Sequence, residues 1–261
     1  MRSFRRLSGV RCFALIALCL VAIGASADDA PGTLRLKYLG AAGWELQAGG
    51  LVVLIDPYIS RIKYDGEGRA GDPRKDFALT DAAESDTQLI DKIITKADFI
   101  LVHHTHVDHA MDVPYIAKQT GAKVIGTETT KNLLRAAGVP KEQLYAVQGG
   151  EDYQFERFSV RVIPSIHSAL GEKHYFSSQR HGADFKGPLR LEHFIEGGSL
   201  MFLVRINGVK VLTMGSMNFI ENELRDFRLG GAELSDDRKT RFKEVQEQLA
   251  TLSAKFEENV L

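Results

Sequence analysis

Cysteine is nearly absent: the 261-residue chain has two, Cys12 and Cys19, and none follows them. From residue 28 onward no disulfide can form, and no metal site can use thiolate donors. Histidine and carboxylate must then carry any metal ligation. Long apolar runs are missing too. The run Cys12–Gly24 has 13 residues, against about 20 for a helix that spans a bilayer. There is no excess of positive charge, with 33 Lys and Arg against 34 Asp and Glu, which argues against a general nucleic-acid binder. Despite 24 glycines, neither a P-loop nor a dinucleotide fingerprint occurs.

What is present begins with an export pattern. Arg2, Arg5, Arg6 and Arg11 precede the apolar run, and Ala25-Ser26-Ala27 closes it with an A-x-A cleavage signal. Residues 1–27 are therefore expected to be a signal peptide and 28–261 one domain, periplasmic or secreted, with no stable membrane anchor after cleavage. Leu18 before Cys19, inside the run, argues against a lipoprotein, and Arg5-Arg6 lacks the rest of a twin-arginine signal. Cleavage removes four basic residues and no acidic one, leaving 29 against 34, a net charge of −5 over 234 residues. That length suffices for a single sizeable core.

Periodicity predicts strands over Thr33–Leu39, Trp44–Ala48 and Leu51–Ile55, with Gly49-Gly50 as a hairpin turn. The polar stretch 60–86 reads as a loop, a mobile surface loop or a substrate-side one. A helix is expected over Gln88–Lys96, then a buried strand over Ala97–Val102. The alternation continues with a helix near Val113–Gln119, strand Lys123–Gly126, helix Thr129–Ala137 and strand Leu144–Val147. Phe158–Ile163 is a further strand, and Met201–Ile206 and Val209–Thr213 form a hairpin around Asn207-Gly208. From Ser235 on, Phe242, Val245, Leu249, Leu252 and Phe256 recur at spacings of three and four, an amphipathic helix read as core-packing rather than partner-binding.

The strand Ala97–Val102 ends in His103-His104-Thr105-His106-Val107-Asp108-His109. Strand-end alternation would put His104 and His106 on one side, with Asp108 and His109 in the turn before a helix starting near Met111 or Val113. Four metal-capable side chains then crowd one strand-to-helix corner, with donors that suit Zn²⁺ or Fe. The bland alternative is a solvated histidine-rich turn, and the density of donors favours a metal. His103 is read as structural or as a supporting neighbour of the ligands.

This H-x-H-x-D-H motif, with Tyr38–Trp44, Leu54–Tyr58 and Ile163–His167 around it, resembles the metallo-β-lactamase fold superfamily over roughly Leu34–Asn218. The branch it resembles most includes ascorbate-6-phosphate lactonase-like and N-acyl-phosphatidylethanolamine phospholipase D-like hydrolases. The resemblance implies an α/β (α+β) αββα sandwich with a metal site at one edge. It implies that His104, His106 and His167 hold the first metal, while Asp108 and His109 begin a second site. Asp108 would also be catalytic, orienting the nucleophile or passing its proton, with metal-bound hydroxide attacking an ester, lactone, amide or phosphoester. Asp56 is the candidate to orient a ligand imidazole.

Two departures from the family pattern stand out. Ser216, in Met214-Gly215-Ser216-Met217-Asn218, sits where a bridging Asp is expected. The last histidine of all eight is His193, so the final ligand of the second site has no counterpart. A neutral hydroxyl offsets paired cations poorly, so one tight Zn²⁺ site and a doubtful second are expected, with Fe or Mn also suited to the donors. His174, His181 and His193 are read first as residues of an ordinary exposed loop, with a second-site ligand or a pocket residue as the alternatives. Beyond Arg228 no apolar strand is read, so the second half of the sandwich is expected to be incomplete. The expectation is an exported hydrolase of a small molecule, anionic ones included, without nucleic acid and with oligomeric state open. The alternative is a binding module of this fold that has lost the second metal and catalysis.

Overall fold

The structure, a computed structural model, describes residues 30–64, 76–167, 179–216, 235, 238–245 and 247–248. The predicted signal peptide, His174 and the apolar positions Leu249, Leu252 and Phe256 lie outside the described residues.

The chain starts as an antiparallel meander, β1 (Arg35–Gly40), β2 (Gly43–Ala48) and β3 (Leu51–Ile55). Two short strands, β4 (Lys63–Tyr64) and β5 (Asp76–Phe77), pair with each other beside it. Helix α1 (Thr87–Ile93) then leads into β6 (Phe99–Leu101), followed by α2 (Val107–Ala110), α3 (Val113–Thr120), β7 (Lys123–Gly126), α4 (Glu128–Ala136) and β8 (Leu144–Ala146). β3, β6, β7 and β8 are parallel neighbours, so the first sheet has six strands in the order β1-β2-β3-β6-β7-β8. The second sheet is an antiparallel run of β9 (Asp152–Gln154), β10 (Phe158–Ser165), β11 (Ser199–Ile206) and β12 (Val209–Thr213), in the order β12-β11-β10-β9.

Burial explains the layering. β3 reads Leu-Val-Val-Leu-Ile and is buried on both faces. Val52 and Leu54 pack with Ile90, Val113, Ile116, Leu133 and Leu134 of α1, α3 and α4. Leu51, Val53 and Ile55 point the other way, toward Val160, Val162, Phe202 and Val204 of the second sheet. Side chains two apart share a face, so one continuous apolar strand can serve two cores. The described residues thus form helix, sheet, sheet in layers. The outer face of the second sheet carries Arg161, Leu203, Arg205 and Leu212, with Leu212 52 % exposed. The helical stretch 238–245 is described, with Phe242 half-buried and Val245 exposed rather than packed in the core.

Local sequence sets the ends of these elements. Asp86 caps α1 by accepting from the Leu89 amide at 2.9 Å, and Thr127 caps α4 in a reciprocal box with Thr130. Both hairpin turns place two residues at positive φ, Gly49-Gly50 and Asn207-Gly208, as two-residue hairpins require. Two expectations need correction. The motif strand is shorter than Ala97–Val102, because the chain leaves the sheet at Leu101 to bring its histidines to the edge. Asp108 and His109 lie not in a turn but in the helical turn α2, with His106 at its N-cap.

Candidate metal centre

Topology gathers the site. β3 and β6 run parallel, so both C-terminal ends reach the same edge of the sandwich. β10 and β12 each pair antiparallel with β11, hence run parallel to one another, and their C-terminal ends meet there as well. Asp56 follows β3, His103 to His109 follow β6, His167 follows β10, and Ser216 follows β12.

His104, His106 and His167 converge. His104 Nε2 and His106 Nδ1 are 3.0 Å apart, and the three rings stand nearly perpendicular at centroid distances of 4.6 to 4.8 Å. One nitrogen from each lies within 4.8 Å of the others; a tetrahedral zinc would hold such nitrogens about 3.4 Å apart, since Zn–N bonds are about 2.0–2.1 Å. Burial pushes His104 well below the usual imidazole range, with the surrounding histidines adding to it. Burial likewise brings His106 down to about 4, helped by His167. At neutral pH each ring is neutral and offers one nitrogen lone pair, the donor a borderline-soft cation needs. The residues fit a metal.

A second group lies behind the first. Asp56 is fully buried, and its Oδ2 accepts from His103 Nδ1 at 2.5 Å and from His109 Nδ1 at 2.6 Å. Its Oδ1 accepts from the His103 amide at 2.9 Å. Burial alone would raise the Asp56 carboxyl, but the two imidazoles outweigh it and hold the group well below the carboxylate range. His109 shows the complement: burial lowers it, and Asp56 more than reverses that, so it titrates above its usual value. His103 Nε2 shares a hydrogen bond with Thr213 Oγ1 at 2.9 Å. His109 Nε2 lies 3.0 Å from Ser216 Oγ and 3.5 Å from Asp108 Oδ2. The Asp108 side chain is 49 % exposed.

All seven residues singled out in the sequence meet at this edge. Asp56 orients His109 and His103 through Nδ1, and Ser216 faces the His109 nitrogen that a second cation would use. His181 and His193 do not join them. His181 Nε2 reaches the His193 carbonyl at 2.6 Å and its ring stacks on Phe185, while His193 Nδ1 accepts from the Arg190 amide. His103, read from the sequence as structural or as a supporting neighbour of the ligands, bonds to Asp56 and Thr213, 47 and 110 residues away. Sequence reasoning missed Asp112, whose buried carboxylate accepts from the Ile59 and Ser60 amides and the Ser60 hydroxyl. That clamp fixes the segment running on from Asp56. Beside His106 and Asp108 opens a cavity of 460 Å³, walled by Leu79, Leu191, Phe194, Glu192 and Glu196.

Two facing sheets, helices outside the first, and a histidine-rich edge define a metallo-β-lactamase-type domain. Residues 35–227 match the family model described as Beta-lactamase superfamily domain, and the chain belongs to that family. It is 34 % identical over 145 residues to a UPF0173 metal-dependent hydrolase of Anaeromyxobacter dehalogenans (strain 2CP-C), covering 54 % of this chain and 45 % of that one. A UPF0173 metal-dependent hydrolase of Carboxydothermus hydrogenoformans is 29 % identical over 140 residues, 53 % of this chain and 50 % of that one. The chain thus spans about half the length of these relatives. Among solved structures it is similar to Igni18, a novel metallo hydrolase from Ignicoccus hospitalis KIN4/I, at TM-score 0.43 and 18 % identity, over 70 % of this chain and 60 % of that one.

Proposed function

We propose that this chain is an exported metal-dependent hydrolase of a small molecule, holding one zinc-type ion tightly on His104, His106 and His167. The observation that carries the reading is the convergence of three buried or half-buried imidazoles, one of which, His106, lines an open cavity. Membership of the superfamily and the metal-dependent hydrolase relatives support it. An ion held by His104, His106 and His167 would supply Lewis-acid polarisation of a carbonyl or phosphoryl oxygen and a source of hydroxide near neutral pH.

The chain's own residues do the rest. Asp108, half-exposed at the cavity beside His106, is placed to hold or pass a proton at its carboxylate oxygen. Asp56 fixes His109 and His103 through their Nδ1 atoms. Leu79, Leu191 and Phe194 give the cavity apolar walls that exclude water from a bound ester, lactone, amide or phosphoester. Residues 1–27 serve as the export signal and 28–261 as the domain, which places the protein in the periplasm or outside the cell, without nucleic acid as a partner.

A binding module without catalysis is the second reading, and Ser216 with no histidine after His193 favours it. Elemental analysis of the purified chain after dialysis separates the two. About one zinc or iron per chain, lost in His104→Ala, together with turnover in an ester, lactone and phosphodiester screen, is the expected result. A folded chain without metal would overturn the hydrolase; one metal without turnover of any substrate would favour the module.

A further inference from the structure

We propose that Ser216 is a covalent nucleophile, with His109 as its base and Asp56 as the positioning carboxylate, set beside the three-histidine cluster. The inference rests on the hydrolytic reading of this site but names a different attacking atom. Three links place the residues in the order a serine nucleophile needs: Ser216 Oγ to His109 Nε2 at 3.0 Å, His109 Nδ1 to Asp56 Oδ2 at 2.6 Å, and Asp56 Oδ1 to the His103 amide at 2.9 Å. An ionised carboxylate only accepts, so His109 Nδ1 carries a proton, and in the neutral tautomer Nε2 is the acceptor for the Ser216 hydroxyl.

The backbone is shaped for this arrangement. Gly215, directly before Ser216, has φ +59, and a Cβ there would lie 2.8 Å from the His103 ring. Only glycine lets the turn after β12 press on His103 and swing Ser216 over His109. Asp56 itself adopts φ +40, a conformation a non-glycine residue holds only when its surroundings over-determine it. Its three hydrogen bonds do so. Ser216 is only half-buried, so the hydroxyl is reachable. The His104 ring sits 3.9 Å from that of His109, which brings a carbonyl attacked by Ser216 next to the three imidazoles.

The step balances without any added reagent. The Ser216 Oγ–C bond forms at the ester carbonyl carbon, the carbonyl π pair moves to oxygen, and the hydroxyl proton passes to His109 Nε2. On collapse the C–O bond to the leaving alcohol breaks, and that oxygen takes the proton from Nε2. Water then repeats the sequence on the acyl-serine, releasing the acid and restoring the hydroxyl.

The test treats the purified full chain, with and without EDTA, with diisopropyl fluorophosphate, and maps the adduct by peptide mass spectrometry. Hydrolysis of p-nitrophenyl acetate and metal content are followed on the same samples. We expect one adduct per chain on Ser216, none in Ser216→Ala, and labelling at least 100-fold slower in Asp56→Asn that keeps its metal and melts cooperatively. Equal labelling of Asp56→Asn would reduce Ser216 to an exposed hydroxyl and overturn the proposal. Metal-dependent hydrolysis with Ser216 unlabelled would overturn it too, while leaving the hydrolase reading intact. Labelling and an acyl burst that persist after the metal is removed would support the serine and overturn the requirement for metal. Neither label nor turnover in a metal-loaded chain would remove both.

Discussion

Acidifying the metal-free chain tests the electrostatics of the site, and the sign differs from group to group. Burial and neighbouring rings keep His104 and His106 neutral in the fold, His106 down to about pH 4, whereas unfolding lets both protonate near pH 6.5. Their depressed folded values mean a contribution that is full above about pH 6.5 and lost as pH falls. For His106, with its folded value of about 4, the loss between pH 6.5 and 5 is about 2 kcal/mol out of a total stability of about 5–15 kcal/mol, and His104 adds to it in the same direction. His109 acts in the opposite direction. Its raised value in the fold gives stability that is complete below about pH 6.5 and lost as pH rises through the folded value. Asp56, depressed by its two imidazoles against the opposing effect of burial, is constant across this window and fails only in stronger acid. Stability of the EDTA-treated chain should therefore peak near pH 6.5 and fall on both sides. Urea midpoints at pH 8, 6.5 and 5 give the curve, with an acid-side loss of about 1–2 M for ordinary urea slopes. His106→Asn should remove part of the acid-side slope. Equal midpoints at pH 6.5 and 5, or an unchanged slope in the variant, would refute the account of these histidines as buried neutral donors.

Three further outcomes are expected. Ser216→Asp restores an anion facing His109 Nε2 and Asp108, which favours two adjacent cations; metal content should rise from about one toward two per chain by elemental analysis. Gly215→Ala forces a Cβ against His103 at an unfavourable φ, and a loss of about 1–3 kcal/mol should appear in urea unfolding, with Ser216 labelling falling in parallel. Phe202→Ala empties a site between the two sheets, where the ring is fully buried and packs against His103; calorimetry should show about 3–5 kcal/mol of lost stability.

Much of the fold was legible because each signal was local. The alternation in Val209–Thr213, the Asn-Gly turn and the apolar run of β3 each name their element with no knowledge of the rest of the chain. Boundaries slipped where tertiary demands prevailed. α1 ends at Ile93, short of the predicted Lys96, so that Ile94 and Ala97 can pack into the helix-side core. Asp152–Gln154, three residues long, joins a sheet through pairing with β10 and carries little periodicity of its own.

The sequence by itself determined the chemistry on offer: no thiolate after residue 19, a dense histidine and carboxylate motif after one strand, a further histidine after another, and a serine where a bridging carboxylate would be expected. Those are properties of residue type and short spacing. Only the tertiary structure decided how the donors are shared. Asp56 takes the Nδ1 protons of both His103 and His109, and Ser216 comes within 3.0 Å of His109 from 107 residues away. Such pairings depend on which strand ends reach the same edge of the sandwich. Parallel pairing of β3 with β6, and antiparallel passage through β11, set that edge, and neither is encoded in the spacing of any one motif.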